Sequence, residues 1–93
     1  MRFEWDARKA SENFVKHRVS FEEATEVFYD PDALEAYDAA HSTHETRFAI
    51  IGLSNRRLLF VVYTEPTAHL VRIISARKAT RKERDVYEQE AIS

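Results

Sequence analysis

Three apolar runs separated by short polar breaks, Arg47–Leu53, Leu58–Thr64 and His69–Ala76, restrict what this chain can become more than any other feature. All three are rich in β-branched and aromatic residues, which pack well on a pleated surface and favour strands. The breaks, Ser54-Asn55-Arg56-Arg57 and Glu65-Pro66-Thr67, are short, and short connections join antiparallel neighbours. The first predicts a tight hairpin in which Asn55 tolerates a left-handed backbone, and the second a turn around Pro66. A meander of three or four strands follows, with a further extended piece at Leu34–Tyr37.

Helix signals flank this meander. Asp6, after the short strand Phe3-Glu4-Trp5, can cap a helix over Ala7–His17 whose apolar stripe is Ala7, Ala10 and Phe14. Ser20 and Glu23 form a capping-box pattern opening a second helix, with Phe21, Ala24 and Phe28 on one stripe and Asp30-Pro31 as its stop. Thr80 and Glu83 repeat the pattern before a closing helix over about Arg81–Ala91. The expected architecture is α+β: a small antiparallel sheet, two N-terminal helices and one C-terminal helix, with the helices on one sheet face.

At 93 residues, with one Gly, two Pro, no repeat and no linker-like stretch, the chain reads as a single domain over residues 1–93 with shallow sites. The absence of Cys excludes disulfides and thiol chemistry, and no apolar run is long enough to span a bilayer. With no signal peptide evident at Met1-Arg2-Phe3-Glu4, a cytoplasmic protein is expected. The net charge of −2 hides a split: residues 1–40 carry ten acids and five Lys or Arg, net −5, whereas residues 41–93 carry six and nine, net +3. A polyanion would dock on the second half.

Two constellations carry candidate chemistry. Residues 72–84, RIISARKATRKER, hold six Arg or Lys in thirteen positions. Arg77, Lys78, Arg81, Lys82 and Arg84 surround the start of the last helix, where the macrodipole disfavours cations by up to about 1 kcal/mol each, a penalty that a bound anion would offset. The bland alternative is a solvated face paired with Glu83, Asp85 and Glu88, which Arg72 fits least, since it interrupts an apolar strand. Strand alternation puts Arg72 with Leu70 and Ile74 and leaves Arg77 on the opposite face unless a bulge intervenes. The second constellation is His41-Ser42-Thr43-His44-Glu45-Thr46-Arg47, which gathers an imidazole, a carboxylate and a guanidinium before a strand. These groups can shuttle protons and stabilise developing phosphorane charge. His41 and His44 with Glu45 as metal ligands are a weaker reading, because a lone His-x-x-His lacks a third firm ligand. His17 and His69 carry little signal.

An ordered set of residues runs through nearly the whole chain: Phe3-Glu4-Trp5-Asp6, Asn13, Lys16-His17, Val19 to Ala24, Phe28 and Asp30-Pro31. It continues through Asp38, His41-Ser42, Glu45, Arg47, Gly52, Val62-Tyr63-Thr64, Arg72 to Ala79, Glu83-Arg84 and Tyr87-Glu88. In these residues the chain resembles the BrnT toxins of type II toxin–antitoxin pairs. Two positions depart from the family pattern. Arg18 stands where a Gly commonly follows the Lys-His pair at a helix end, and the 54–57 turn lacks its usual Gly.

The resemblance implies a RelE-like fold and a metal-independent ribonuclease that inhibits translation and uses no cofactor. Attack by the RNA 2′-hydroxyl on its own phosphate would require a clamp, here Arg47, Arg72 and Arg77, and proton handling by His41 or Glu45. Lys78, Arg81 and Lys82 would track flanking phosphates. The implied partner is a BrnA-like ribbon-helix-helix antitoxin, in a heterotetramer that touches DNA only through the antitoxin. The rival reading is a non-catalytic binding module for an acidic protein or nucleic acid.

Overall fold

The computed structural model describes residues 1–37 and 45–92. Five strands, β1 (Arg2–Glu4), β2 (Leu34–Tyr37), β3 (Phe48–Leu53), β4 (Leu58–Thr67) and β5 (Leu70–Lys78), form one sheet in the order β1-β5-β4-β3-β2. The strands β2 to β5 pair antiparallel in sequence order, as their short connections predict. At the other edge β1 lies parallel to β5, with Phe3 opposite Val71, so the sheet is mixed rather than wholly antiparallel. Turn chemistry reports only on strands adjacent in sequence, and this pairing joins the first strand to the last.

Helix α1 (Ala7–His17) starts where Asp6 accepts a hydrogen bond from the Lys9 N–H at 3.0 Å. Its sheet-facing residues are Ala10, Asn13 and His17, while Ala7 and Phe14 of the expected stripe are exposed. Asn13 explains the offset. Beyond Glu4 the strand β1 has ended, leaving β5 backbone groups without a ladder partner, and the buried Asn13 carboxamide serves them instead. Its amide donates to the Ala76 carbonyl at 2.8 Å and to Val19 at 3.0 Å, and its oxygen accepts from the Ala76 N–H at 3.1 Å.

Helix α1 ends at Arg18, which adopts φ 57° in place of the glycine such a cap favours, its N–H donating to the Phe14 carbonyl. The Arg18 carbonyl accepts from Arg57 Nη2 at 2.7 Å, tying the strained cap to the turn between β3 and β4. Ser20 caps α2 (Phe21–Thr25) through the Glu23 N–H. The Glu23 carboxylate does not reciprocate. It pairs with Arg57 and accepts from the Ser54 hydroxyl, so the expected box is half formed. A 3-10 turn, Glu26–Tyr29, follows, and its Val27 lies so close to Gly52 that a Cβ there would sit 3.0 Å from the Val27 Cβ.

The core lies between these helices and one sheet face: Val19, Phe21, Ala24 and Val27 pack on Ile50, Leu59, Val61, Tyr63, Val71, Ile73 and Ala76. Burying each larger side chain contributes about 1.5–3 kcal/mol. Phe28 bridges Phe3 and Tyr63, with edge-on ring centroids at 5.3 Å and 4.9 Å. Burial and a hydrogen bond to Glu35 push the Tyr63 hydroxyl far above the ordinary tyrosine range, so it remains a donor.

Two turns differ from expectation. Asn55 is not left-handed, since Arg18 and His69 are the positive-φ residues of the described chain. The Ser54 hydroxyl shapes that turn, accepting from the Arg56 and Arg57 N–H groups. Pro66 falls in a register shift inside β4 rather than at the turn, a position where its missing N–H is tolerated. The reversal comes at Ala68-His69, with His69 at φ 66°.

Candidate nucleic-acid interface on the open sheet face

Along β5 the register changes once more: Val62 pairs with Ser75 but Tyr63 pairs with Ile73, so Ile74 is an extra residue. This bulge reverses the alternation. Val71 and Ile73 before it and Ala76 after it all face the core, and Arg72 and Arg77 therefore both point to the opposite side. The conditional attached to Arg77 in the sequence is thus met.

The closing helix α3 (Arg81–Ile92) does not join α1 and α2 on the core face. It contacts β3, and its first turn reaches Arg77 on the second face through Glu83. A sequence pattern records that a helix has a buried side but not which sheet face receives it. Its box is complete: Glu83 N–H donates to Thr80 Oγ1 at 3.2 Å and Glu83 Oε1 accepts from the Thr80 N–H at 2.9 Å. Further along, the Tyr87 hydroxyl donates to Asp30 at 2.7 Å, and Asp30 also accepts from the Leu53 and Asp32 N–H groups. Burial pushes the Asp30 carboxyl up, but these three donors outweigh it and leave its pKa lowered.

A shallow depression of about 580 Å³ opens on the second face. Ala49, Phe60, Val62, Ile74 and Ser75 form its floor, and Arg47, Arg77, Ala36 and Tyr37 border it. Arg77 lies over the Phe60 ring, Cζ 4.2 Å from the centroid, and makes a two-point pair with Glu83 at 2.9 Å for each contact. That hydrogen bonding holds the Glu83 carboxyl below its ordinary value. Arg47 approaches Glu45 at 3.7 Å. Arg72 shares the face but is not among the lining residues. It is paired with Glu4 on the neighbouring β1. The three guanidinium side chains remain 30%, 45% and 35% exposed for Arg47, Arg72 and Arg77, so each is reachable despite its carboxylate neighbour.

The other candidates disperse. Lys78 follows Arg77 on the strand and alternates to the other side, opposite Leu59. Arg81 and Lys82 are exposed on α3, and Lys82 borders a separate groove with Asp85 and Glu88. His41 and His44 lie outside the described residues, and among the described ones no group of three His, Cys, Asp or Glu is placed to hold a metal. Sequence reasoning did not single out Tyr37 or Phe60. Alternation within Leu58–Thr64 separates Phe60 from Leu59 and Val61, but both sets are apolar, so the pattern alone does not say which face is open.

The arrangement suits a flexible polyanion: guanidinium forks for phosphate oxygens beside exposed aromatic and aliphatic surface for a base. A family described as the ribonuclease toxin BrnT of type II toxin–antitoxin systems matches residues 5–83. The crystal structure of the Brucella abortus ribonuclease toxin BrnT superposes with a TM-score of 0.69 at 23% identity, covering 87% of this chain and 99% of that one. No curated protein matches by sequence.

Proposed function

Because the chain belongs to the family of BrnT ribonuclease toxins of type II toxin–antitoxin systems, and so has an antitoxin for a partner, we propose that it is itself an endoribonuclease, a single-domain enzyme acting in the cytoplasm. Cleavage is metal-independent. The RNA 2′-hydroxyl attacks the adjacent phosphate, Arg47 and Arg77 take up the developing charge with Arg72 on the same face outside the depression, and Glu45 or His41 moves the protons. Lys78, Arg81 and Lys82 hold flanking phosphates from outside the depression. The single observation that supports this reading best is the bulge at Ile74, which sends Arg77 to the side of Arg72 and Arg47. The antitoxin is a BrnA-like ribbon-helix-helix protein, two toxins assemble on its dimer, and DNA is contacted through the antitoxin.

A second reading, a non-catalytic binding module, is favoured by one fact: each arginine already has a carboxylate neighbour. RNA cleavage in the presence of a chelator separates the two. Cleavage retained with chelator supports the proposal, cleavage lost with it supports a metal site at His41 and His44, and none at any concentration supports the module. Replacing Arg72 and Arg77 by Ala should abolish cleavage while stability stays within about 1 kcal/mol.

A further inference from the structure

A guanidinium has five N–H hydrogens in a rigid plane, and three of those on Arg77 are taken. Glu83 accepts one from Nη1 and one from Nη2 along the end of the fork, and the Lys78 carbonyl accepts the other Nη1 hydrogen at 3.2 Å. Beneath the plane lies Phe60. Glu83 is itself anchored by the capping box to the first turn of α3, so it cannot follow the arginine outward without breaking the helix start. Direction, tilt and position of the guanidinium are therefore set before any ligand arrives. What remains is the side of the fork, Nε–H and the second Nη2 hydrogen, for which no described residue is an acceptor. These two parallel hydrogens match two oxygens of one phosphodiester.

We propose that Glu83 is a positioning residue of the nuclease site, holding Arg77 against Phe60 so that its Nε/Nη2 fork receives the two non-bridging oxygens of an RNA phosphodiester. The inference rests on the ribonuclease reading and assigns a residue to it. A carboxylate beside an arginine can also compete with phosphate, but Glu83 occupies the end of the fork and leaves the side free. A long side chain fixed in advance loses no further rotamer freedom on binding, which favours the cooperative outcome.

Cleavage of an RNA oligonucleotide, and affinity for its uncleavable 2′-O-methyl counterpart, test this in the full-length chain. Glu83→Ala should lower kcat/KM about 100-fold, the scale of a mispositioned catalytic group, and Glu83→Gln, whose carboxamide oxygen still accepts from Thr80 and Arg77 Nη1 while its NH2 faces Nη2, should recover only part of it. In an Arg77→Ala background, adding Glu83→Ala should leave affinity unchanged. Val86→Gly, which weakens α3 away from the site, controls for loss of helix stability and should not reproduce the effect. If the parent chain cleaves and Glu83→Ala cleaves equally well, or if Glu83→Ala weakens binding as much without Arg77 as with it, the positioning role is wrong and the nuclease reading stands. If the parent chain neither cleaves nor binds, both fall.

Discussion

Arg18 occupies a left-handed cap that costs a residue with a Cβ roughly 1 kcal/mol relative to glycine. The bond from the Arg57 side chain reaches the Arg18 carbonyl and survives substitution, so what offsets part of this is the Arg18 side chain lying over Phe14 at 5.7 Å. Arg18→Gly should therefore stabilise the protein by about 0.5 kcal/mol, read as a higher urea midpoint with unchanged slope; a lower midpoint would show that the contact with Phe14 outweighs the strain. Acid stability is also decided by single residues. The pKa of Glu23 is lowered chiefly by its hydrogen bond from Arg57, and that of Glu83 by its bond from Arg77. Asp30 is lowered too, by three donors acting against burial. A carboxylate lowered in the folded state stabilises fully above its unfolded pKa and loses that contribution as pH falls through the folded value. From ordinary values of 4.5 for the two glutamates and 3.8 for Asp30, stability should hold from neutrality to about pH 5 and decline below 4.5. Urea midpoints measured across that range check this, and Glu23→Gln should make the decline shallower.

Among the elements, β5 decides most. It pairs with β4 on one side, with β1 for three residues on the other, and with a side chain where β1 stops. Asn13 donates to two carbonyls and accepts from one N–H, a combination that a carboxylate cannot make. Asn13→Asp should destabilise by about 2–4 kcal/mol, because two buried carbonyls lose their donor and face a negative charge. A thermal midpoint within a degree or two of the parent would mean that the edge of β5 is satisfied some other way. The same strand carries the bulge. One extra residue at Ile74 leaves Ala76 in the core and turns Arg77 outward, so an irregularity of a single residue determines which face holds the charge.

At the scale of the molecule, the depression draws on the segment before β3, the middle of β4 and the end of β5, and its anion affinity should depend on salt. Each phosphate neutralised on a single strand contributes a slope of about −0.7 in log K against log salt, so an RNA strand that engages Arg47 and Arg77 in the depression and Arg72 beyond it predicts about −2. Arg77→Ala should reduce the magnitude by about 0.7, whereas Lys82→Ala, further from the depression, should reduce it less; anisotropy titrations of labelled RNA across salt concentrations measure both. Equal losses would place the RNA path along α3 instead.

What could be read from the residues alone was what depends on near neighbours: the strand runs, the short antiparallel connections, the Asp6 and Ser20 caps, the Thr80–Glu83 box and the basic character of the second half. The Arg72 and Arg77 candidates were visible as cations out of place, and the family as an ordered set of residues. Only the tertiary structure decided the rest. The parallel pairing of β1, the inward turn of Asn13, the face taken by α3 and the partner of Glu23 each join residues distant in sequence, where local propensity carries no information. The common face of the arginines hung on a bulge that shifts alternation by one, and alternation, having a period of two, converts that single step into a change of side.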